Sequence, residues 1–182
     1  MFSVTPDWNG WAGRSRLLHS AWDLLVEKDA LDLSLKEIAQ AAGTSPSLFH
    51  RTFASRSALF AEVANAGMVT LLVNVADDSA FEELATSWIR FAQARPRHYL
   101  LMFSSEFSEH DGVSLRRHAL GKRLHDLLEE RLERAAHKSE MFMVYAMIHG
   151  AASLVASGLP RQPLQATTVE AIDAYLAAIK RS

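Results

Sequence analysis

Between residues 34 and 56 the chain gathers side chains that are suited to bind phosphates and to read base edges. They are hydroxyls, one imidazole and two guanidinium groups, with two further arginines near the start of the first predicted helix: Ser34, Thr44, Ser45, Ser47, His50, Arg51, Thr52, Arg56, Arg14 and Arg16. Arginine can bond guanine bidentately or pair with a phosphate, and hydroxyls reach phosphates or base edges. Arg56 falls in the first turn of a predicted helix, where free amides and the helix dipole favour a phosphate. The group predicts a DNA-binding surface.

The elements that must position this surface are two short helices joined by a tight turn. A Ser–x–x–Glu capping box that begins at Ser34 predicts a helix over 35–42, which ends at Gly43. Ser45, followed by proline, is the predicted N-cap of a second helix over 46–52. Such a pair lets its second helix enter the major groove while the first braces it, so the spacing predicts a helix-turn-helix.

The charge balance predicts few phosphate contacts. The 182 residues carry a formal net charge of −2, and residues 1–60 hold six cations and six anions. Four of those anions lie between residues 23 and 32, away from the proposed DNA surface in sequence. The N-terminal part is therefore expected to be dipolar, and the salt dependence of its DNA binding is expected to be shallow.

Helical periodicity continues to the C-terminus, and no strand alternation is sustained. The pattern predicts an all-α chain of about nine helices, in which a three-helix helix-turn-helix domain over 1–58 is joined by a long fourth helix to a helical domain over 59–182. The other helices are predicted at 12–28, 55–75, 79–94 (opened by a Ser79/Glu82 capping box), 96–105, around Leu120–Leu132, at 141–157, and after a Thr167/Glu170 capping box, with a loop over 108–114.

The composition excludes several other classes. There is no cysteine, so neither disulfides nor a Cys-based zinc site are possible, and the N-terminus has no signal-peptide pattern; both fit a cytoplasmic protein. The most apolar run, residues 141–156, is shorter than the roughly 20 residues of a membrane span and contains His149 and Ser153, so a buried helix is expected there and no membrane.

An enzyme is the first rival interpretation. The chain has no Gly-rich phosphate loop, no HExxH and no Gly-x-Ser-x-Gly, so no catalytic residue and no cofactor are predicted. His118 and His125 lie about two turns apart near Glu129 and Glu133, so a metal site is conceivable, but a charged surface helix is the preferred interpretation and no metal is predicted.

The stretch RLLHSAWDLLVEKDALDLSLKEIAQAAGTSPSLFHRTFASRSALFAEV resembles the N-terminal domain of the TetR family of transcriptional regulators. The resemblance rests on the leucine-rich first helix, Ser34-Leu35 followed by Ile38-Ala39, Ala42-Gly43, Ser45, Phe53, and Ser55-Arg56 before Leu59. The family usually has Leu-Tyr in place of Phe49-His50 and lysine in place of Arg56. It often has histidine in place of Thr52. Because the usual tyrosine contacts a phosphate, the resemblance implies a weaker or pH-dependent contact from His50.

The C-terminal half is similar to the regulatory domain of one TetR branch, which is named for a Trp-His-Gly element. The matching residues are Trp88 with Phe91-Ala92, Pro96, Leu101-Met102-Phe103, and the run from Tyr145 to Leu154, in which Tyr145 stands where the tryptophan is usual and His149-Gly150 is kept. The resemblance implies a domain that binds a small molecule and pairs two subunits.

Two sets of residues are candidates for these roles. An apolar pocket with a polar anchor is assigned to Trp88, Phe91, Met102, Phe103, Met143, Tyr145, Met147 and His149. The eighth helix is apolar nearly all round and needs a second partner, so a two-fold dimer surface is assigned to Gly150, Ala151, Ser153, Leu154, Ile172, Leu176 and Ile179. The expected function is a ligand-responsive regulator, a homodimeric repressor released from a palindromic double-stranded operator by a small apolar effector. The alternative is a helical protein-interaction module without functional DNA binding.

Overall fold

The computed structural model describes residues 6, 8, 12–76, 78, 80–107 and 110–180. Within these ranges the chain forms nine α-helices and two single-turn 3₁₀ helices and no strand, which confirms the predicted all-α class. The helices are α1 Ala12–Leu24, α2 Leu35–Ala41, α3 Pro46–Thr52, α4 Arg56–Ala76, α5 Phe81–Ala94, α6 Pro96–Met102, α7 Asp111–Leu132, α8 Lys138–Ala156 and α9 Arg161–Ile179. The 3₁₀ turns are Ala30–Asp32 and Ser105–Phe107.

The last helix begins earlier than its sequence pattern predicts. The Thr167/Glu170 capping box does not form, because α9 already starts at Arg161 and Thr167 lies inside the helix. Proline at position 163 is compatible with this start, since it falls in the first turn, where its missing amide would have no helical partner. The hydroxyl pattern at Thr167 therefore belongs to a helix interior and not to a cap.

Two other helix starts also differ from the pattern. The residues from Asp111 onward are helical, so the predicted loop over 108–114 is wrong for that part. Ser79 lies outside the described residues. The N-cap of α5 is Ala80, whose amide donates to the Glu83 carboxylate at 3.2 Å, and because alanine has no side-chain acceptor only this half of a capping box forms. A single shift of the cap leaves the body of α5 as predicted.

The chain divides into two compact units that differ from the predicted boundary at 58/59. The first contains the residues up to Thr70 together with Arg97–Leu115, and the second contains Leu71–Pro96 together with Arg116 onward. Helix α4 therefore contributes to both units, and α6 belongs to the unit that carries the helix-turn-helix.

The first unit has a core that fixes α2 and α3 against α1. The buried face of α1 carries Leu17, Leu18, Ala21 and Trp22, each at most 1% exposed. Helices α2 and α3 both pack on α1 and on each other. Burying a leucine-sized side chain contributes roughly 1.5 to 3 kcal/mol, so this contact is the main support of the short helices.

The second unit is built on α5. This helix buries Phe81, Leu84, Trp88 and Phe91 along one face and packs against α8 and α9. At the start of α8, Arg134 binds both carboxylate oxygens of Glu140, at 3.0 and 2.7 Å. The His137 amide also donates to Glu140 at 2.8 Å, so this carboxylate joins the α7–α8 connection to the helix start.

Two of the described helices, α4 and α8, are long and apolar enough to cross a membrane by length and composition alone. A core helix of a soluble protein meets the same two criteria. In α4 61% of the apolar window is buried inside the protein, as in a core helix, whereas in α8 the buried share is 39%. Helix α8 therefore leaves part of its apolar surface uncovered.

Candidate DNA-binding surface and regulatory unit

The first helix of the motif begins with the predicted capping box. The Glu37 amide donates to the Ser34 hydroxyl at 3.2 Å, and the Ser34 amide donates to the Glu37 carboxylate at 2.9 Å. Lys28 donates to the same carboxylate at 2.6 Å, and together with Ser34 it lowers the pKa of Glu37 to about 2. The Ser34 hydroxyl donates to Glu37 as well, so its role here is to start α2.

The turn between α2 and α3 is closed by backbone geometry and by small side chains. Gly43 has φ +60°, a conformation that favours glycine, and the Thr44 amide donates to the Ala39 carbonyl at 2.9 Å. The Ser45 hydroxyl accepts from the Leu48 amide at 3.4 Å and lies 2.8 Å from the Ser47 hydroxyl. The predicted cap and proline start of α3 are confirmed at residues 45 and 46.

Helix α3 turns its aromatic side inward and its polar side to solvent. Phe49 and Phe53 are 1% and 4% exposed, with ring centroids 5.6 Å apart. Ser47, His50 and Arg51 are exposed on the opposite side. Of the predicted α3 contacts, these three face outward, whereas the half-buried hydroxyl of Thr52 donates to the Leu48 carbonyl at 2.6 Å.

Arg56 faces inward rather than outward. Its Nε donates to the Leu33 carbonyl at 3.2 Å, and its guanidinium carbon lies 4.7 Å from the centroid of the Phe60 ring. Its Nη2 is buried without a hydrogen-bond partner in the structure. The sequence predicts that Arg56 contacts a phosphate at the start of α4. In the structure its side chain instead links α4 to the segment before α2.

Arg14 is also engaged within the protein. It forms an ion pair with Glu62 of α4, and its guanidinium carbon lies 5.4 Å from the centroid of the Phe53 ring. Arg16, two residues along, is exposed. Neither partner of Arg14 could be found from sequence spacing, because Glu62 is 48 residues away.

In the second unit three of the predicted pocket residues form one aromatic cluster, Trp88, Tyr145 and His149. The Trp88 and Tyr145 centroids are 5.6 Å apart in an edge-to-face arrangement, and the Tyr145 and His149 centroids are 5.7 Å apart. Trp88 is fully buried, whereas Tyr145 and His149 are half-buried. Burial raises the pKa of Tyr145, and burial together with the Arg117 charge lowers the pKa of His149, which keeps its ring neutral at pH 7.

Two of the other predicted pocket residues, Met102 and Phe103, belong to the first unit. Met102 belongs to the first unit and packs against Gly67 of α4, where a Cβ would stand 2.6 Å from the Met102 sulfur. Phe103 contacts Tyr99 in the same unit, with ring centroids 4.7 Å apart. Met143 is 41% exposed, so it lines no buried cavity in this subunit.

The remaining pocket prediction, Met147, lines a shallow groove between α8 and α9. This groove has a volume of about 220 Å³ and is lined by Met147, Ala151, Leu154, Leu164, Thr167, Thr168 and Ala171. Phe91, by contrast, is fully buried in the core of the second unit.

The predicted dimer residues separate into buried and accessible ones. Ile172 and Leu176 are each 1% exposed and Ala151 is 5% exposed, so these three pack inside the subunit and their assignment to its surface is wrong. The α9 face that carries Ile172 and Leu176 faces α5 and α8, which sequence periodicity alone could not distinguish from a free face.

Most of the accessible part of the predicted dimer surface is on α8. Leu154 is 45% exposed, and Gly150 and Ser153 are half-buried, as is Ile179 at the end of α9. Phe142, one turn into α8, is 68% exposed and was not among the predicted residues. The sequence feature that indicates Phe142 is the apolar character of α8 nearly all round. The predicted dimer residues on α8 lie only in the C-terminal half of the helix.

The alternative metal site has no support from the described residues, in which no three His, Asp or Glu side chains form a group that could hold a metal ion. His125 Nε2 lies 3.6 Å from Glu129, one turn away, in an exposed pair on α7.

An N-terminal helix-turn-helix with an exposed polar face on its second helix, followed by a helical unit, defines an all-α DNA-binding transcriptional regulator. Residues 17–63 match the family model described as bacterial regulatory proteins, tetR family. Residues 81–179 match the model described as Tetracyclin repressor-like, C-terminal domain. Together the two models match well over half of the chain, which therefore belongs to the TetR family of transcriptional regulators. A search of curated proteins gives no match.

Solved structures agree on the fold. A TetR-family transcriptional regulator from Streptomyces coelicolor is 17% identical, with a TM-score of 0.73 over 95% of this chain and 83% of that one. A protein of unknown function from Rhodococcus sp. RHA1 is 22% identical, with a TM-score of 0.71 over 96% and 98%. The fatty acid degradation regulator FadR from Bacillus halodurans is 12% identical, with a TM-score of 0.67 over 91% and 96%. At these identities the likeness shows the fold alone.

Proposed function

We propose that this chain is a cytoplasmic, homodimeric repressor that binds a palindromic operator through α3 and leaves it when a small apolar molecule binds the second unit. The observation that carries the proposal is that one chain has an outward-facing polar surface on α3 and, in the second unit, an aromatic cluster in which a buried Trp88 meets half-buried Tyr145 and His149. The first suits DNA and the second suits a small ligand.

The DNA-binding side rests on few groups per subunit. Ser47, His50 and Arg51 are exposed on α3, while Arg56 is bonded to the Leu33 carbonyl and Arg14 is paired. A site of this size supports modest affinity from one copy, since each phosphate neutralised contributes a limited counterion-release gain. Two copies bound to a two-fold symmetric site together supply the affinity that one copy lacks, which favours a palindromic operator.

The dimer follows from the uncovered part of α8. Phe142, Met143 and Leu154 are 68%, 41% and 45% exposed, and half-buried Gly150 lies between them in sequence and allows close approach of a second helix. Apolar exposure of this extent on one helix favours burial against a partner. A second copy presents the same surface and makes a self-complementary interface.

The effector side rests on the Trp88–Tyr145–His149 cluster. A neutral imidazole can donate or accept a hydrogen bond, and the phenol of Tyr145 can do the same. Flat apolar rings beside two such groups suit a largely apolar molecule with one hydrogen-bonding group. Because His149-Gly150 is kept and Tyr145 stands for the usual tryptophan, we assign the second unit to the Trp-His-Gly branch of the family.

The test begins with a duplex selected from a random-sequence pool by the wild-type protein. Its retention is then measured across a panel of small aromatic and aliphatic acids, amides and alcohols. We expect at least one class of compound to release the duplex, and we expect His149→Leu to weaken that response while His118→Leu, a change at an exposed histidine, leaves it intact. Equal responses of the two variants would contradict the assigned site.

The alternative, a helical interaction module without functional DNA binding, is distinguished at the first step. A protein that retains no duplex from the pool at low salt, while showing a normal unfolding transition, would favour the module. Selection of a palindromic duplex favours the repressor.

A further inference from the structure

We propose that Glu62 is an internal competitor for Arg14, so that Arg14 becomes a DNA contact only where a duplex phosphate displaces the Glu62 carboxylate. The inference rests on DNA binding by the helix-turn-helix and adds to it a residue that sets specificity. Glu62 does not touch DNA in this proposal; it acts through Arg14.

The geometry places the pair beside the recognition surface. Arg14 is in the first turn of α1, and its ion pair with Glu62 links α1 to α4 across 48 residues. The same guanidinium lies over the ring of Phe53, which is the C-cap of α3. The last turn of α3 holds the exposed His50 and Arg51, so the Phe53 contact brings Arg14 to the end of the helix that carries them.

The Arg14 guanidinium is expected to have an anionic partner both in the free protein and in the DNA complex. Helix α1 has no acidic residue in its first turn, and the positive end of the helix dipole disfavours a cation there. Glu62 supplies the anion in the free protein. A duplex supplies another, because it presents a phosphate charge about every 1.7 Å along its axis.

The exchange between these anions is feasible because neither partner is deeply buried. The side chains of Arg14 and Glu62 are each 30% exposed. Water screens a pair at this depth, and such pairs contribute little to stability. A phosphate that approaches the end of α3 can therefore take the guanidinium without unfolding the unit.

The exchange also discriminates between duplexes. Once released, the Glu62 carboxylate remains close to the DNA backbone and is repelled by it. A duplex that places a phosphate beside Arg14 offsets this repulsion with the new contact between Arg14 and the phosphate. A duplex that places no phosphate there leaves the Arg14–Glu62 ion pair intact, and this pair has no net charge to attract the DNA. Glu62 thereby penalises DNA that the recognition helix does not fit.

The experiment compares wild type with Glu62→Gln on two probes, the duplex selected by the wild-type protein and a mixed-sequence duplex several turns long. We expect Glu62→Gln to bind the mixed-sequence duplex about twofold to fivefold more tightly per subunit, the range that an exposed ion pair is worth. The slope of log K against log salt should steepen by about 0.9 per subunit, since one more phosphate is neutralised. Affinity for the selected duplex should rise less.

The controls separate this effect from general charge and from folding. Asp23→Asn removes one exposed negative charge from the same unit without touching an arginine, and it should leave the slope unchanged. In an Arg14→Met background, Glu62→Gln should give no further gain. Thermal unfolding checks that each variant is folded.

Three results would overturn the inference. The first is weaker DNA binding by folded Glu62→Gln, which would make the pair purely structural. The second is an equal gain in the Arg14→Met background, and the third is an equal gain from Asp23→Asn. Absence of duplex binding by the wild-type protein itself is a different outcome, because it contradicts the proposed function.

Discussion

The imidazole of His98 lies against the indole of Trp22, with ring centroids 4.1 Å apart, and its Nε2 is 2.9 Å from the Trp22 carbonyl oxygen. Because a carbonyl only accepts, Nε2 carries the proton in this contact. Trp22 is in the last turn of α1, where carbonyls have no partner inside the helix. Arg97, the neighbour of His98, donates to the Val26 carbonyl at 2.7 Å. Helix α6 thus caps the C-terminal end of α1.

This cap leads to a prediction about α1. His98→Leu removes the hydrogen bond between the His98 imidazole and the Trp22 carbonyl, so we expect a loss of about 1 to 3 kcal/mol in unfolding free energy. Amide hydrogen exchange should accelerate in the last turn of α1, and affinity for the selected duplex should fall with it. His118→Leu is the matched control, and unchanged exchange in α1 of His98→Leu would show that the cap has no energetic role.

Arg51 and Arg56 should respond differently to removal. Arg51 is exposed at the end of α3, so Arg51→Ala should weaken binding of the selected duplex by about 1 to 3 kcal/mol per subunit and leave the melting temperature unchanged.

Arg56→Ala instead removes the bond to the Leu33 carbonyl and the packing on Phe60. A loss of about 1 kcal/mol in stability is expected, which corresponds to a fall of roughly 2 to 4 °C in melting temperature for a chain of this size. Calorimetry and DNA titration on both variants make the comparison. The opposite pattern, a stable Arg56→Ala that loses only DNA affinity, would restore Arg56 as a phosphate contact.

Glu140 should make the second unit sensitive to acid. The bonds from Arg134 and from the His137 amide lower the pKa of Glu140 from 4.5 to about 2. A carboxyl whose pKa is lower in the folded protein contributes stability that is complete above the unfolded pKa and is lost as the pH falls toward the folded one. The loss is therefore expected between about pH 4.5 and pH 2.

Glu140→Gln should show a lower melting temperature than wild type at pH 7 and a smaller difference near pH 3. Melting curves across this range, with Glu130→Gln on the exposed side of α7 as the control, provide the measurement. A difference that stays constant with pH would mean that ionisation of Glu140 contributes nothing.

The exposed apolar surface of α8 should control the oligomeric state. Leu154→Glu puts a charge where a second copy is proposed to pack, and we expect a monomer at micromolar concentration by light scattering. Val73→Glu, at a 54% exposed position of α4, is the control and should stay dimeric. A dimeric Leu154→Glu variant would place the interface elsewhere. A monomeric wild-type protein would contradict the proposed dimer altogether.

Local signals predicted the local structure well. The start of α3 follows from Ser45 and the proline after it, and the capping box at Ser34 forms as its spacing requires. These features depend on residues within one turn of each other, where propensity and side-chain bonds decide the outcome.

Long-range relationships could not be predicted in the same way. The partners of Arg14 and His98 lie 48 and 76 residues away, so no spacing rule reaches them. Periodicity places Ile172 and Leu176 on one face of α9 but does not say which neighbour covers that face. The bond from Arg56 to the Leu33 carbonyl could not be predicted for the same reason, because this partner is 23 residues upstream.

The capping of α1 by α6 also limits how such a regulator can be recombined. Because Arg97–Leu115 folds with the residues up to Thr70, the DNA-reading part is discontinuous in the gene. A chimera made by one crossover after the helix-turn-helix would give α1 a foreign helix as its cap. Exchanging DNA-reading parts between relatives therefore requires three junctions, at 70/71, 96/97 and 115/116, so that each part keeps the segment that completes it.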